Sequence, residues 1–193
     1  MPLAEASLQR SLKCITNANF AAFAIEAAAA CAIGSVSLLA DSASFLTAAT
    51  NGLLALGLPR WPPRGRAAVA GACATLTFAC LLGALGMALS KYRAPIPPDP
   101  LVLTSVGAAA LAVHLLCSFI VAVHRRPVRS PVWTILAAAR YDVLVKVAII
   151  ETGVVTAFIW RAPWLDVITG IALVVLNADG AWRVWTAARH QAR

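Results

Sequence analysis

Long apolar segments, separated by breaks rich in proline and charge, are the feature that most constrains how this chain can fold. Five or more of them approach or exceed the roughly 20 residues that an α-helix needs to cross about 30 Å of hydrocarbon. With 61% hydrophobic and 12% charged residues, the chain has too much apolar surface to bury in one soluble core. The alternation that a membrane barrel requires is not seen. We therefore predict an all-α integral membrane protein.

The breaks between the apolar segments divide the chain into six transmembrane helices. Proline, which lacks a backbone donor, and charged residues interrupt the apolar pattern at 59–66, 91–100 and 124–131. Tighter turns are predicted at Gly34 and at residues 161–163. Few residues follow the last helix, so we expect a single transmembrane domain over residues 1–193 and no soluble C-terminal domain. The predicted helices lie near residues 14–33, 36–58, 67–90, 101–123, 132–160 and 164–187.

The basic residues predict how this six-helix bundle is oriented. Three lie at one set of helix ends, namely Lys91, Arg93 and Arg161. The positive-inside rule assigns the other set, which is far more basic, to the cytoplasm together with the N and C termini. The net charge of +8 then belongs to the membrane surface, and no basic stretch is long enough to form a nucleic-acid-binding module. The residues of the basic set are Arg10, Lys13, Arg60, Arg64, Arg66, Arg125, Arg126, Arg129, Arg183, Arg189 and Arg193.

Polar side chains inside these helices are the candidates for function, because polar groups at membrane depth are costly unless they are functional or paired. His114 is expected to make a structural hydrogen bond, or to act as a ligand or proton relay. The cysteines include no CxxC pair, so we expect small buried hydrophobes, with a soft-metal site at Cys73 and Cys80, or at His114 and Cys117, as the alternative. The other intramembrane candidates are Asn19, Glu26, Asp41, Ser44, Arg140, Asp142, Lys146, Glu151, Asn177 and Asp179.

A family resemblance appears in the first two helices. The segment NFAAFAIEAAAACAIGSVSLLADSASFLTAATN resembles helices 1 and 2 of the cation diffusion facilitator family, with Asn19, Glu26, Gly34, Ser35 and the stretch from Ser37 to Asp41 in register. Helix 5, SPVWTILAAARYDVLVKVAI, is similar to that of short bacterial members without a cytosolic domain. The resemblance implies six helices, both ends inside, a bacterial inner membrane and a homodimer.

The metal site of that family is altered in this chain. The resemblance implies four ligands, two each from helices 2 and 5, at i and i+4, a spacing that places both side chains of a pair on one helix face. These positions fall at Ser44 and Ala48 and at Asp142 and Lys146. Zinc requires three or four N, S or O donors, so only a degenerate site, with Asp142, Asp41 and Ser44 as candidate ligands, is expected.

Lys146 places an ammonium group where the resemblance puts a metal. Asp142 and Lys146 share a helix face in the favourable order, with the acid first. Lys146 lies about fourteen residues into helix 5, roughly 21 Å, at a depth compatible with Asp41. We therefore expect Lys146 to form an ion pair with Asp142 or Asp41 in place of the metal. The alternative is that the charges of helix 5 serve only stability and orientation.

Two functions remain open from the sequence. The first is a facilitator-like transporter that exports a divalent metal ion, its substrate, by proton antiport through a site that recruits Asp41, Glu26, His114 or Cys117. The second is a transport-incompetent relative that serves as an accessory or structural subunit of a larger membrane complex. An enzyme is not expected, because no nucleophile with a base and no cofactor fingerprint is visible.

Overall fold

The computed structural model of the chain describes residues 2–57, 61–124 and 132–192, without the side chains of 2–8, 122–124, 132–142, 183–184 and 187–192. The regular structure of the described residues is entirely helical, which confirms the all-α prediction. The helices, in chain order, are α1 (Pro2–Ile33), α2 (Val36–Gly57), α3 (Pro63–Arg93), α4 (Pro100–His124), α5 (Val132–Phe158) and α6 (Trp164–Ala192).

Local signals in the sequence explain where several helices begin. Gly34, at φ +67°, adopts the left-handed conformation that only glycine reaches without strain, and it turns the chain from α1 into α2. Before α4, the Asp99 carboxylate accepts the backbone N–H groups of Leu101 and Val102 at 2.9 and 3.0 Å. This is the usual cap for a helix start. α1 and α3 are longer than their apolar segments, since α1 begins at Pro2 and α3 runs from Pro63 to Arg93.

α2 lies at the centre of the bundle. It packs against α1, α3, α5 and α6, while α4 packs against α5 and α1. Its buried Val36, Leu38 and Leu39 share one apolar cluster with Leu103 of α4 and Ile149 of α5. Polar side chains of α2 are therefore shielded on several sides by other helices.

A close approach between α6 and α2 fixes the first turn of α2. A Cβ atom on Gly170 would lie 2.8 Å from the carbonyl carbon of Val36. Such a distance excludes any side chain at position 170 without movement of the backbone. Small residues at helix crossings commonly allow this kind of contact between membrane helices.

Four helical segments in the described part of the chain are long and apolar enough to cross a membrane: Gln9–Ile33, Pro63–Arg93, Pro100–Val121 and Trp164–Trp182. Large apolar side chains also lie on the outside of the bundle, among them Leu82, Phe119 and Val175, which are 67%, 67% and 68% exposed. Such an apolar exterior suits lipid better than water. These features identify a membrane protein.

Candidate functional site

A buried ion pair joins α2 and α5 in the middle of the bundle. The Lys146 ammonium donates to both carboxylate oxygens of Asp41, at 3.1 and 3.0 Å. Each of the two side chains is 1% exposed. The ammonium also lies 4.4 Å from the ring centroid of Phe45, a favourable position for a cation over an aromatic face.

This contact is one of the two that the sequence predicts for Lys146, and it is confirmed for Asp41. The alternative partner, Asp142, has a side chain outside the described residues, as does Arg140. Asp41 also accepts a hydrogen bond from the Ser44 hydroxyl at 3.3 Å. The ammonium group bound to both Asp41 oxygens is positively charged, and it opposes the approach of a metal ion to this carboxylate.

Glu26 of α1 adds a second carboxyl group to this region. It is 2% exposed, and its carboxyl oxygens are fully enclosed. Its neighbour there is the Asp41 carboxyl group, with which it can form a hydrogen bond, and Lys146 is the nearby cation. Glu26 and Asp41 therefore place two buried carboxyl groups beside one ammonium group.

A polar cavity of about 240 Å³ lies beside the ion pair, further along α2. The backbone of α2 is fixed there by the Asn177 side chain, which donates to the Ala40 carbonyl at 2.9 Å. Asn19 donates to the Ile15 carbonyl at 2.8 Å and contacts the sulfur of Cys117 at 3.8 Å. Polar residues from four helices line this cavity, namely Asn19, Ser44, Thr47, Asn51, His114 and Asn177.

The described residues do not assemble a metal centre of the expected kind. They contain no group of three or more His, Cys, Asp or Glu side chains placed to hold a metal ion. Ser44 and Ala48 do lie on the wall of the polar cavity, as the resemblance implies for their positions. Ala48, however, has no donor atom, and the Ser44 hydroxyl is turned to Asp41. Among the described residues, a cation in this cavity would meet hydroxyl, amide and imidazole groups.

The remaining acidic and cysteine candidates lie outside the polar cavity. Glu151 and Asp179 are exposed on α5 and α6, and neither lines the polar cavity. Among the cysteines, Cys117 is buried beside Asn19, whereas Cys73 and Cys80 are partly buried on α3.

A second buried ion pair, absent from the sequence-based predictions, joins α3 and α6. The Lys91 ammonium lies 3.1 Å from the Asp166 carboxylate, with exposures of 6% and 0% for the two side chains. This pair lies at the end of the bundle that holds the α1–α2, α3–α4 and α5–α6 connections, here called the connection end. The chain offers a signal for it, since a lysine near the end of one helix faces an acid in the first turn of another.

Asp166 also binds the start of α2. Its carboxylate accepts the backbone N–H groups of Val36 and Ser37 at 2.8 and 3.1 Å, and the hydroxyls of Ser35 and Ser37 at 2.7 and 2.6 Å. A helix start is a favourable place for an anion, because its first N–H groups have no partner within the helix. Residues 34–37 (GSVS) therefore form a turn that binds the Asp166 carboxylate. Through Asp166 and its partner Lys91, this turn connects α2 to α6 and α3.

Comparison with known proteins adds no family assignment. No family model matches this chain. No curated protein matches it either. The likeness to the cation diffusion facilitator family thus remains a prediction based on the residues of the first, second and fifth helices.

Proposed function

We propose that this chain is a membrane transporter of the cation diffusion facilitator type, which moves a divalent metal cation in exchange for protons through an altered site. The observation that carries this proposal is the polar cavity of about 240 Å³ beside the buried charges. Polar side chains inside a membrane bundle are costly, and they mark substrate and ion pathways. Six polar side chains from α1, α2, α4 and α6 line this cavity.

The chemistry of the cavity favours weak, transient binding. Hydroxyl, amide and imidazole groups can replace part of the hydration shell of a cation, but they bring no negative charge of their own. The nearest described carboxylate, that of Asp41, is held by Lys146. A transporter must release its substrate, so modest affinity is compatible with transport.

Metal flux into proteoliposomes tests this proposal. Purified protein is reconstituted around an indicator for Zn²⁺ or Mn²⁺, with a pH gradient across the bilayer. We expect flux that depends on the gradient and falls about tenfold when two cavity hydroxyls are removed by Ser44→Ala with Thr47→Val.

Thr75→Val is the matched control. The Thr75 hydroxyl donates to the carbonyl four residues earlier at 2.9 Å, as does that of Thr47, but Thr75 is exposed on α3. Flux should be unchanged in this variant. Flux through the wild-type protein no greater than through protein-free liposomes would reject transport of these metals.

The Lys146–Asp41 pair favours a second candidate, a transport-incompetent accessory or structural subunit. A lysine ammonium fixed at 3.0 Å from Asp41 would repel a divalent cation from the centre of the bundle. Purification in mild detergent followed by native mass spectrometry tests this candidate. Constant stoichiometric partners without flux would support it, whereas an active monomer or homodimer would exclude it.

For the membrane arrangement, we propose six spans with both termini on the cytoplasmic side of a bacterial inner membrane. The uneven distribution of basic residues supports this orientation. Labelling of single cysteines added at the two ends, in a variant without the native cysteines, tests it in intact cells. Strong labelling by a membrane-impermeant maleimide from outside would overturn the orientation.

A further inference from the structure

Two hydroxyl groups on the wall of the polar cavity can act there only as acceptors. The Thr47 hydroxyl donates to the Ala43 carbonyl at 2.9 Å, and the Ser44 hydroxyl donates to the Asp41 carboxylate at 3.3 Å. A backbone carbonyl accepts and never donates, and the same holds for a carboxylate bound to an ammonium group, so each hydroxyl hydrogen must point to its partner. Each hydroxyl therefore offers the cavity the lone pairs of its oxygen.

The asparagine side chains that line this cavity from α1 and α6 follow the same rule. Asn19 donates through Nδ2 to the Ile15 carbonyl at 2.8 Å, and Asn177 donates through Nδ2 to the Ala40 carbonyl at 2.9 Å. Because a carbonyl only accepts, the amide nitrogen must face it, and the amide oxygen lies on the other side of the same group. Two amide oxygens thus join the two hydroxyl oxygens as acceptors.

Helix spacing brings these acceptors together. Ala40, Ser44, Thr47 and Asn51 follow one another at steps of four, three and four residues, which places them along one face of α2. The side chain of Asn177 is held at the first of these positions, and the asparagine of α1 lines the same cavity. Oxygen atoms from three helices therefore surround one space.

No carboxylate of the described residues lies on the wall of this cavity. The nearby Asp41 carboxylate is bound to Lys146, whose ammonium lies 4.4 Å from the ring of Phe45, one of the lining residues. A divalent cation that loses most of its water usually requires carboxylate ligands. Neutral acceptors suit a cation that keeps its own water, because metal-bound water molecules donate hydrogen bonds.

The size of the cavity agrees with a hydrated ion. Mg²⁺ holds its water oxygens at about 2.1 Å, and a water radius of about 1.4 Å gives the hydrated ion a volume of roughly 180 Å³. The polar cavity has a volume of about 240 Å³. A second cavity, of about 170 Å³ between α1 and α4, has a mainly apolar wall that includes Ile25, Val106 and Val113, and it offers little to metal-bound water.

We propose that the polar cavity binds a divalent cation of the Mg²⁺ type with its hydration shell intact, through hydrogen bonds from the water ligands to the two hydroxyl and two amide oxygens. This site rests on the proposed function, because it takes the polar cavity as the place where the transported cation binds. Mg²⁺ dehydrates reluctantly and usually keeps several waters. Zn²⁺ instead favours direct nitrogen and sulfur ligands.

Hexaamminecobalt(III) tests this site, because its six ammonia ligands do not exchange and can bind only through hydrogen bonds from the shell. The complex is titrated by calorimetry into the purified full-length protein in a neutral detergent. We expect binding, and we expect added Mg²⁺ to weaken it by competition. Binding of Mg²⁺ without binding of the complex would show direct coordination and overturn the site, as would the absence of binding by both.

Variants at position 47 show whether the complex binds in the polar cavity. Thr47→Val removes one acceptor and should weaken binding of the complex about fivefold, whereas Thr47→Ser keeps the hydroxyl and should retain the affinity. Thr50→Val is the matched control, because the Thr50 hydroxyl also donates to the carbonyl four residues earlier, at 2.7 Å, but does not line the cavity. Melting temperatures establish that each variant folds. Equal affinity in wild type and Thr47→Val would overturn the site.

Metal flux in proteoliposomes separates this site from the transport proposal. Binding of hexaamminecobalt(III) that is weakened by Thr47→Val, together with the absence of flux, would support the site and reject transport. Flux of Mn²⁺ through a protein that does not bind the complex would overturn the site and leave transport standing.

Discussion

The two buried lysine–aspartate pairs have nearly equal lengths, 3.1 Å for Lys91–Asp166 and 3.0 Å for Lys146–Asp41, but very different surroundings. Asp166 accepts four hydrogen bonds from the start of α2 in addition to its lysine. Among the described residues, Asp41 accepts hydrogen bonds from Lys146 and from the Ser44 hydroxyl, and the Glu26 carboxyl group lies beside it.

This difference indicates that the Lys91–Asp166 pair has the larger structural role. A carboxylate whose acceptor sites are all used stabilises one arrangement of helices and has no capacity left for a ligand. Asp41 accepts fewer hydrogen bonds from the described residues, and it shares its lysine with a second buried carboxyl group, that of Glu26. We therefore expect the connection end to contribute more to the stability of the fold, and any ligand chemistry at the centre of the bundle stays a proposal.

The largest effect is expected for Asp166→Ala. This change removes four hydrogen bonds from the start of α2 and leaves the Lys91 ammonium buried without its acid. We expect a loss of about 4 to 5 kcal/mol in the free energy of unfolding, measured by titration with a denaturing detergent. Asp99→Ala is the control, since it removes only an exposed helix cap and should cost about 1 kcal/mol. Equal losses in the two variants would contradict the structural role of Asp166.

A somewhat smaller loss, about 3 kcal/mol, is expected for Lys146→Met, because Asp41 then remains buried without its cation. The double variant with Asp41→Leu should recover most of that loss, since it removes both charges together. Thermal unfolding of the single and double variants measures the coupling. If the double variant were no more stable than Lys146→Met alone, the two residues would not act as a pair.

Lys91→Met should cost less than Lys146→Met, about 1.5 kcal/mol. Its acid, Asp166, still accepts four hydrogen bonds after the lysine is removed. The same unfolding titration compares the two lysine variants directly. The reverse order of stability would remove the distinction between the two pairs.

No measurable change is expected when Zn²⁺ is added to the wild-type protein at micromolar concentration. Of the four positions that the resemblance assigns to metal ligands, one is alanine and one is lysine. Calorimetric titration measures this, and a variant with Ser44→Asp, Ala48→Asp and Lys146→His serves as the positive control because it restores donor groups. A tight stoichiometric site in the wild type that is lost in Asp142→Ala would contradict this prediction.

The sequence was sufficient to predict the helices, because length, apolar content and proline breaks are local properties of the chain. It was also predictable that Lys146 would contact an acid, because a lysine buried among apolar residues is costly unless it is paired. Its partner could not be chosen from spacing alone. Asp142 shares the helix face of Lys146, whereas Asp41 becomes a neighbour only once α2 and α5 pack together.

The role of Asp166 was missed because its five donors come from two separate segments, both distant from Asp166 in the sequence. Ser35, Val36 and Ser37 are consecutive, but Lys91 and Asp166 meet them only in the folded bundle. The two cavities were inaccessible to sequence reasoning for the same reason. Their walls combine residues from two to four helices. The sequence pattern of a single helix does not show how that helix is rotated relative to the others.

The helices of this bundle differ in length, and this has a consequence for bilayers of different thickness. α3 has 31 residues, or about 46 Å, whereas α2 has 22 residues, or about 33 Å. In the proposed arrangement, the longer outer helix exceeds a hydrocarbon layer of about 30 Å and must tilt or extend beyond it. α2 matches that layer and is largely enclosed by its neighbours. We therefore expect the outer helices to tilt in response to hydrophobic mismatch, while Asp41, the one charged residue of α2, stays at a constant depth.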